Sequence, residues 1–132
     1  MIPHEAIRTF LANAGLGLIP GTYLFGPEVA YGPNVERNAV FVMPGGGASP
    51  RRNMGEDEIA RGIVNVRIRW MSFPQGDALA NQIILALQNE KVAGLLYVEP
   101  TESEPDYVGI GEQGIHMWTL GFITYRERLK NG

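Results

Sequence analysis

Hydrophobic and polar residues alternate most regularly between Ile63 and Trp70: Val64, Val66, Ile68 and Trp70 fall on one side, and Asn65, Arg67 and Arg69 on the other. That period of two predicts a half-buried antiparallel strand. Beyond Phe73-Pro74-Gln75-Gly76-Asp77 the period changes. Leu79, Ala80, Ile83, Ile84, Ala86 and Leu87 form one broad apolar stripe at helical spacing, with Asp77 placed to cap the helix and Leu85 projecting on the opposite, polar side. No catalytic residue sits in the turn between strand and helix.

Upstream, Ile7, Phe10, Leu11 and Ala14 recur at helical spacing behind Pro3 and before Gly15. A helix of about three turns is predicted there. Short strands are expected around Tyr23 to Phe25 and over Ala39 to Met43. Residues 44–58, from Pro44-Gly45-Gly46-Gly47 through Arg51-Arg52 to Glu56-Asp57-Glu58, show no period and are expected to form one long flexible loop. Downstream come a strand over Leu95 to Val98, an acidic loop from Glu99 to Asp106, and a hairpin of Tyr107 to Ile110 with Ile115 to Tyr125. In the last strand His116, Trp118, Leu120 and Phe122 share one face and Met117, Thr119, Ile123 and Tyr125 the other, as in a strand covered on both sides. The order predicts a single α+β domain over residues 1–132, its helices packed on a mixed or mostly antiparallel sheet.

Composition narrows the chemistry. A chain of 132 residues has room for one core. Its formal charge of −3 argues against a surface built to grip nucleic-acid phosphates. With no cysteine, disulfides, zinc-thiolate sites and thiol nucleophiles are excluded together. No apolar run approaches the ~20 residues of a membrane span, and the opening residues do not read as a signal peptide, so a soluble protein is expected. Glycine and proline, 17 and 9 residues, make up about a fifth of the chain, which long loops explain.

Candidate sites fare poorly against simpler readings. Gly109-Ile110-Gly111-Glu112-Gln113-Gly114 has the dinucleotide spacing, but a strand follows it where a helix N-terminus would have to meet the pyrophosphate. A hairpin turn is the better reading. Gly45-Gly46-Gly47 lacks the Lys-Ser/Thr of a phosphate loop. His4 and His116 lie at opposite ends of the chain with no local third ligand, and no nucleophile is placed beside either. The acidic clusters lack the alternating ligands of a calcium loop. No catalytic, cofactor or metal residue is therefore expected. Arg51, Arg52, Arg67 and Arg69 leave two readings open, solvated surface charge or salt bridges to a neighbouring subunit's acidic loop. Free sheet edges, the outward Leu85 and the long loop with Met54 fit a ring subunit better than a solitary enzyme.

Several segments resemble one family. Leu11-Ala12-Asn13-Ala14-Gly15-Leu16-Gly17 with Gly21-Thr22-Tyr23-Leu24-Phe25-Gly26, then Gly45-Gly46, Val64 to Arg69, Asp77 to Leu87 and Trp118 to Tyr125, resemble in order the tail terminator (minor capsid) proteins of long-tailed bacteriophages. The chain departs from that pattern at Trp70 to Gly76 and in the length of its acidic loop. The resemblance implies a non-enzymatic virion protein assembled in the host cytoplasm. It would form a hexameric ring that caps the tail tube, ends its polymerisation and offers a joining surface to the head. Its partners would be further copies, the tail tube protein and a head-tail connector protein, with DNA passing through the lumen without specific binding. Interface roles for Arg51, Arg52, Met54, Arg67, Arg69 and Leu85 follow as expectations. The alternatives are a head-completion or neck connector adaptor and a small ligand-binding or hydrolytic enzyme, the latter without a convergent polar cluster to support it.

Overall fold

The computed structural model describes residues 3–27, 38–47, 51–52, 57–111 and 114–129. The chain opens with helix α1, Pro3–Ala12, which turns Ala6, Ile7 and Leu11 inward. Gly15, at φ 75°, takes the left-handed conformation just past its last turn. Strands β1 (Leu24–Phe25), β2 (Ala39–Gly47), β3 (Arg51–Arg52) and β4 (Asp57–Trp70) follow. Helix α2 (Phe73–Asn89) leads to β5 (Tyr97–Pro100), β6 (Asp106–Ile110) and β7 (His116–Leu129).

All seven described strands belong to one sheet. Its spine is the antiparallel pair β4 and β7, each 14 residues long, registered from Asp57 opposite Leu129 to Trp70 opposite His116. On the other edge of β4 lie β2 and then β3, both antiparallel, with β1 running parallel outside β2. Along the far edge of β7, β5 pairs with Phe122 to Tyr125 and β6 with His116 to Thr119. The expected α+β domain with a mixed, mostly antiparallel sheet is what forms.

The period of two does the sorting. Val64, Val66 and Ile68 of β4, Trp118, Leu120 and Phe122 of β7, and Val40 and Val42 of β2 all enter one core. Ile7 and Leu11 of α1 and Leu79, Ala80, Ile83, Ile84 and Leu87 of α2 meet them there. Each of the larger side chains gains roughly 1.5–3 kcal/mol from leaving water. The fully buried Thr124 donates to the Gly62 carbonyl from the opposite strand.

Four expectations need correction. Helix α2 starts at Phe73 with Ser72 as N-cap residue, because Pro74 fits a first turn whose N–H groups have no intrahelical acceptor. Asp77 therefore lies inside the helix, and its Oδ1 accepts the Trp118 indole N–H at 3.3 Å instead of capping. The strand expected over Leu95 to Val98 is shifted to Tyr97–Pro100, since Leu95 still belongs to the turn after α2, its N–H bonded to the Val92 carbonyl. The loop expected over residues 44–58 is partly sheet: β2 runs to Gly47, β3 pairs at Arg51 and Arg52, and β4 begins at Asp57. Backbone pairing along β4 needs no alternation of side chains, so hydropathy did not reveal it. In β7, finally, Trp118, Leu120 and Phe122 are buried, whereas His116 on their face and Met117, Thr119, Ile123 and Tyr125 opposite are half-buried, and no helix among the described residues covers that second face.

At Gly76 helix α2 lies close against the sheet. A Cβ there would stand 2.4 Å from Cη2 of Trp118 and 2.8 Å from Cβ of Trp70. Gly76→Ala is expected to cost about 1–3 kcal/mol through this overlap, measured by urea unfolding. A gain of about 1 kcal/mol, the helix-propensity result, would show that the close approach is absent.

Candidate assembly interface

The residues with catalytic potential are scattered. Among the described residues no three of His, Cys, Asp and Glu gather as a metal set. His4 lies in α1, whereas His116 opens β7. There its Nδ1 is hydrogen-bonded to the Tyr107 hydroxyl at 2.8 Å, and the ring stands among Phe73, Tyr107 and Trp118. The glycine-spaced segment 109–114 joins β6 to β7, with Gly109 at φ 133° and Gly114 at φ 74°. That is a turn between antiparallel strands, without a helix to receive a pyrophosphate. Gly45 and Gly47 are residues of β2.

Surfaces are more informative. Asp77 is the sole charged residue of α2 and is spent on Trp118. The outer side of the helix exposes Gln75, Ala78, Asn81, Gln82, Leu85 and Gln88, and Leu85 is 56% exposed. A solvated helix face normally carries lysine and glutamate; a charge-free face is the composition of a contact surface.

A second surface is the edge at β5 and β6. Tyr97, Val108 and Ile110 are 58%, 56% and 64% exposed, and no described strand pairs with the outer side of β6. The register slips between Tyr107 and Gly109, a bulge that leaves Val108 without a partner on β7. Phe73 and Tyr107 meet edge to face at 5.1 Å and remain about two-fifths exposed, joining this edge to the start of α2. Between β5 and β6 the acidic loop is held by the Thr101 N–H, which donates to the Gly121 carbonyl at 2.9 Å. A cleft of about 200 Å³ opens beside it, lined by Asn65, Thr101, Glu102, Glu104, Asp106 and Thr119, among others.

The six expected interface residues are not brought together. Arg67 and Arg69 share the helix-free face of β4, Arg67 exposed and Arg69 half-buried with an interaction partner. Arg67, Thr119 and Asp106 form one row across β4, β7 and β6, in which Thr119 Oγ1 donates to Asp106 Oδ2 at 3.5 Å. Arg51 and Arg52 register with Ile59 and Glu58, roughly 30 Å along β4 from Arg67 at ~3.3 Å per residue. Leu85 lies in the helix layer on the other side of the sheet, and Met54 is outside the described residues. Sequence reasoning missed the exposed edge at Val108 and Ile110, whose signal was a short apolar strand carrying no lysine or proline.

No protein-family model matches the sequence. No curated protein matches it either. Among solved structures, the chain is similar to one in a structure described as "Virion of native gene transfer agent (GTA) particle", with a TM-score of 0.62 and 18% identity. The match covers 95% of this chain and 94% of that one, so the whole fold is shared.

Leu85→Lys keeps a good helix former at a solvent-facing position. Its unfolding free energy is expected to stay within about 0.5 kcal/mol of the parent, while association of copies through this face weakens. A loss of several kcal/mol in urea titration would place Leu85 in the core; unchanged association would remove it from the contact surface.

Proposed function

We propose that this protein is a structural virion subunit, a tail terminator that assembles as a hexameric ring. The ring caps the tail tube, ends its growth and presents the surface to which the head is joined. The observation that carries this reading is the end-to-end likeness of fold to a chain of a gene transfer agent virion. Resemblance of the Leu11–Gly17, Gly21–Gly26 and Val64–Arg69 segments to tail terminators supports the finer assignment. The charge-free outer face of α2 and the unpaired edge of β6 are surfaces that a ring subunit would cover.

The physical role needs no bond-making chemistry. Each copy offers one surface to the copy ahead and a different one to the copy behind, and a closed ring follows if the rotation between them returns to the start. Tail tube protein meets one rim and a head-tail connector protein the other. DNA crosses the lumen, and a subunit of net charge −3 does not retain phosphate as a basic surface would.

Light scattering on the purified protein, alone and with tail tube protein, paired with negative-stain images, tests the assignment. Sixfold rings seated on tube ends are expected, with tubes of uniform length. Rings that bind head-completion proteins and ignore tubes would reassign the chain as a connector adaptor; monomers under both conditions would remove the ring altogether.

A further inference from the structure

Charge is distributed unequally over the corners of the sheet. No lysine or arginine occurs between Val92 and Tyr125, and Glu99, Glu102, Glu104 and Asp106 are all exposed beside the β6 edge. Glu102 and Glu104 have no cationic or hydrogen-bonding partner among the described residues. Diagonally opposite, the strand residues 51–52, 57–61 and 126–129 hold five arginines against three carboxylates. Two of those arginines, Arg51 and Arg52, form β3, which pairs with β4 alone and so leaves its other side as sheet edge among the described strands.

These corners cannot meet within one copy. Strand β3 registers with Glu58 and Ile59, whereas β6 pairs at Thr119 to His116, opposite Arg67 to Trp70. They are separated by roughly 33 Å along the strands and about 14 Å across them, at ~3.3 Å per residue and ~4.8 Å per strand. Any contact between them joins two copies, and because the two patches differ, the contact is head-to-tail.

The edges themselves are unequal as well. Free strand edges are ordinarily guarded by lysine, proline or extreme shortness. Strand β2 has Pro44 on its exposed edge. Strand β6 has neither lysine nor proline over its five residues and presents Val108 and Ile110 to solvent. It is the edge best suited to receive another backbone, and the carboxylates around it select a basic one.

We propose that the β6 edge of one copy, flanked by Glu102 and Glu104, docks against the Arg51–Arg52 edge of a second copy. Diagonal corners of successive sheets are thereby joined. This rests on the ring reading above and names the contact that closes the ring.

The test uses full-length protein, with tail tube protein wherever the parent needs it to assemble. Glu102→Lys/Glu104→Lys sets two lysines against Arg51 and Arg52 across the proposed contact, and Arg51→Glu/Arg52→Glu sets two glutamates against Glu102 and Glu104. Each variant alone is expected to associate on the order of tenfold more weakly than the parent, while circular dichroism and urea unfolding show that it is folded. Mixed one to one, the two variants present complementary corners in alternation, and assemblies of equal composition are expected to return. A chain carrying all four substitutions has its corners exchanged and is expected to assemble by itself. If both variants assemble like the parent, or the mixture and the fourfold variant stay dissociated, the proposed contact is wrong and the ring must close elsewhere. Failure of the parent to assemble in either condition would overturn the ring reading and this contact with it.

Discussion

The antiparallel register between β4 and β7 is the constraint on which the rest of the structure depends. Fourteen residues on each strand pair without a break, and side chains alternate strictly along both. Val64, Val66 and Ile68 therefore reach the same side as Phe122, Leu120 and Trp118. A slip of one residue would send Asn65, Arg67 and Arg69 into the core and expose the apolar set to water. Every other element takes its place from this pair: β2 and β3 extend one edge, β5 and β6 the other, and both helices cover the apolar side.

Trp118 ties that register to the helix layer. It is almost fully buried, with its indole N–H bonded to Asp77 and its ring against the backbone at Gly76. The only charged side chain of α2 is thus turned toward the sheet, leaving amides, Ala78 and Leu85 outside. Packing inside and composition outside are linked here, because the helix needs no surface charge for its own stability once tertiary contacts hold it.

The described helices lie on one side of the sheet; on the other, Ala39 and Phe41 of β2 are fully buried, while the residues toward β7 are half-buried or exposed. On that side Arg67 is exposed in a row that ends at Asp106, and the carboxylates continue around the β5–β6 loop. Arginines accumulate at the far end of the same sheet. In the proposed ring such a polar layout gives successive copies a direction, which a symmetric dimer does not require.

Strict alternation over Ile63 to Trp70 and the apolar stripe from Leu79 to Leu87 determined, without any coordinates, that a strand and a helix would share one core. They also put Leu85 outside, and Gly15 was legible as a helix stop because its local backbone preference needs no distant partner. The limits of β3, the extension of β2 through Gly47 and the start of β4 at Asp57 were decided by tertiary structure. Strand pairing satisfies backbone groups whose partners are far away in sequence, and glycines and arginines carry no period to announce it. The role of Asp77 was decided the same way, since Trp118 lies 41 residues further along the chain. So was the diagonal separation of basic and acidic corners: the charges are written in the sequence, but only the register of β3 on β4 and of β6 on β7 sets where they stand.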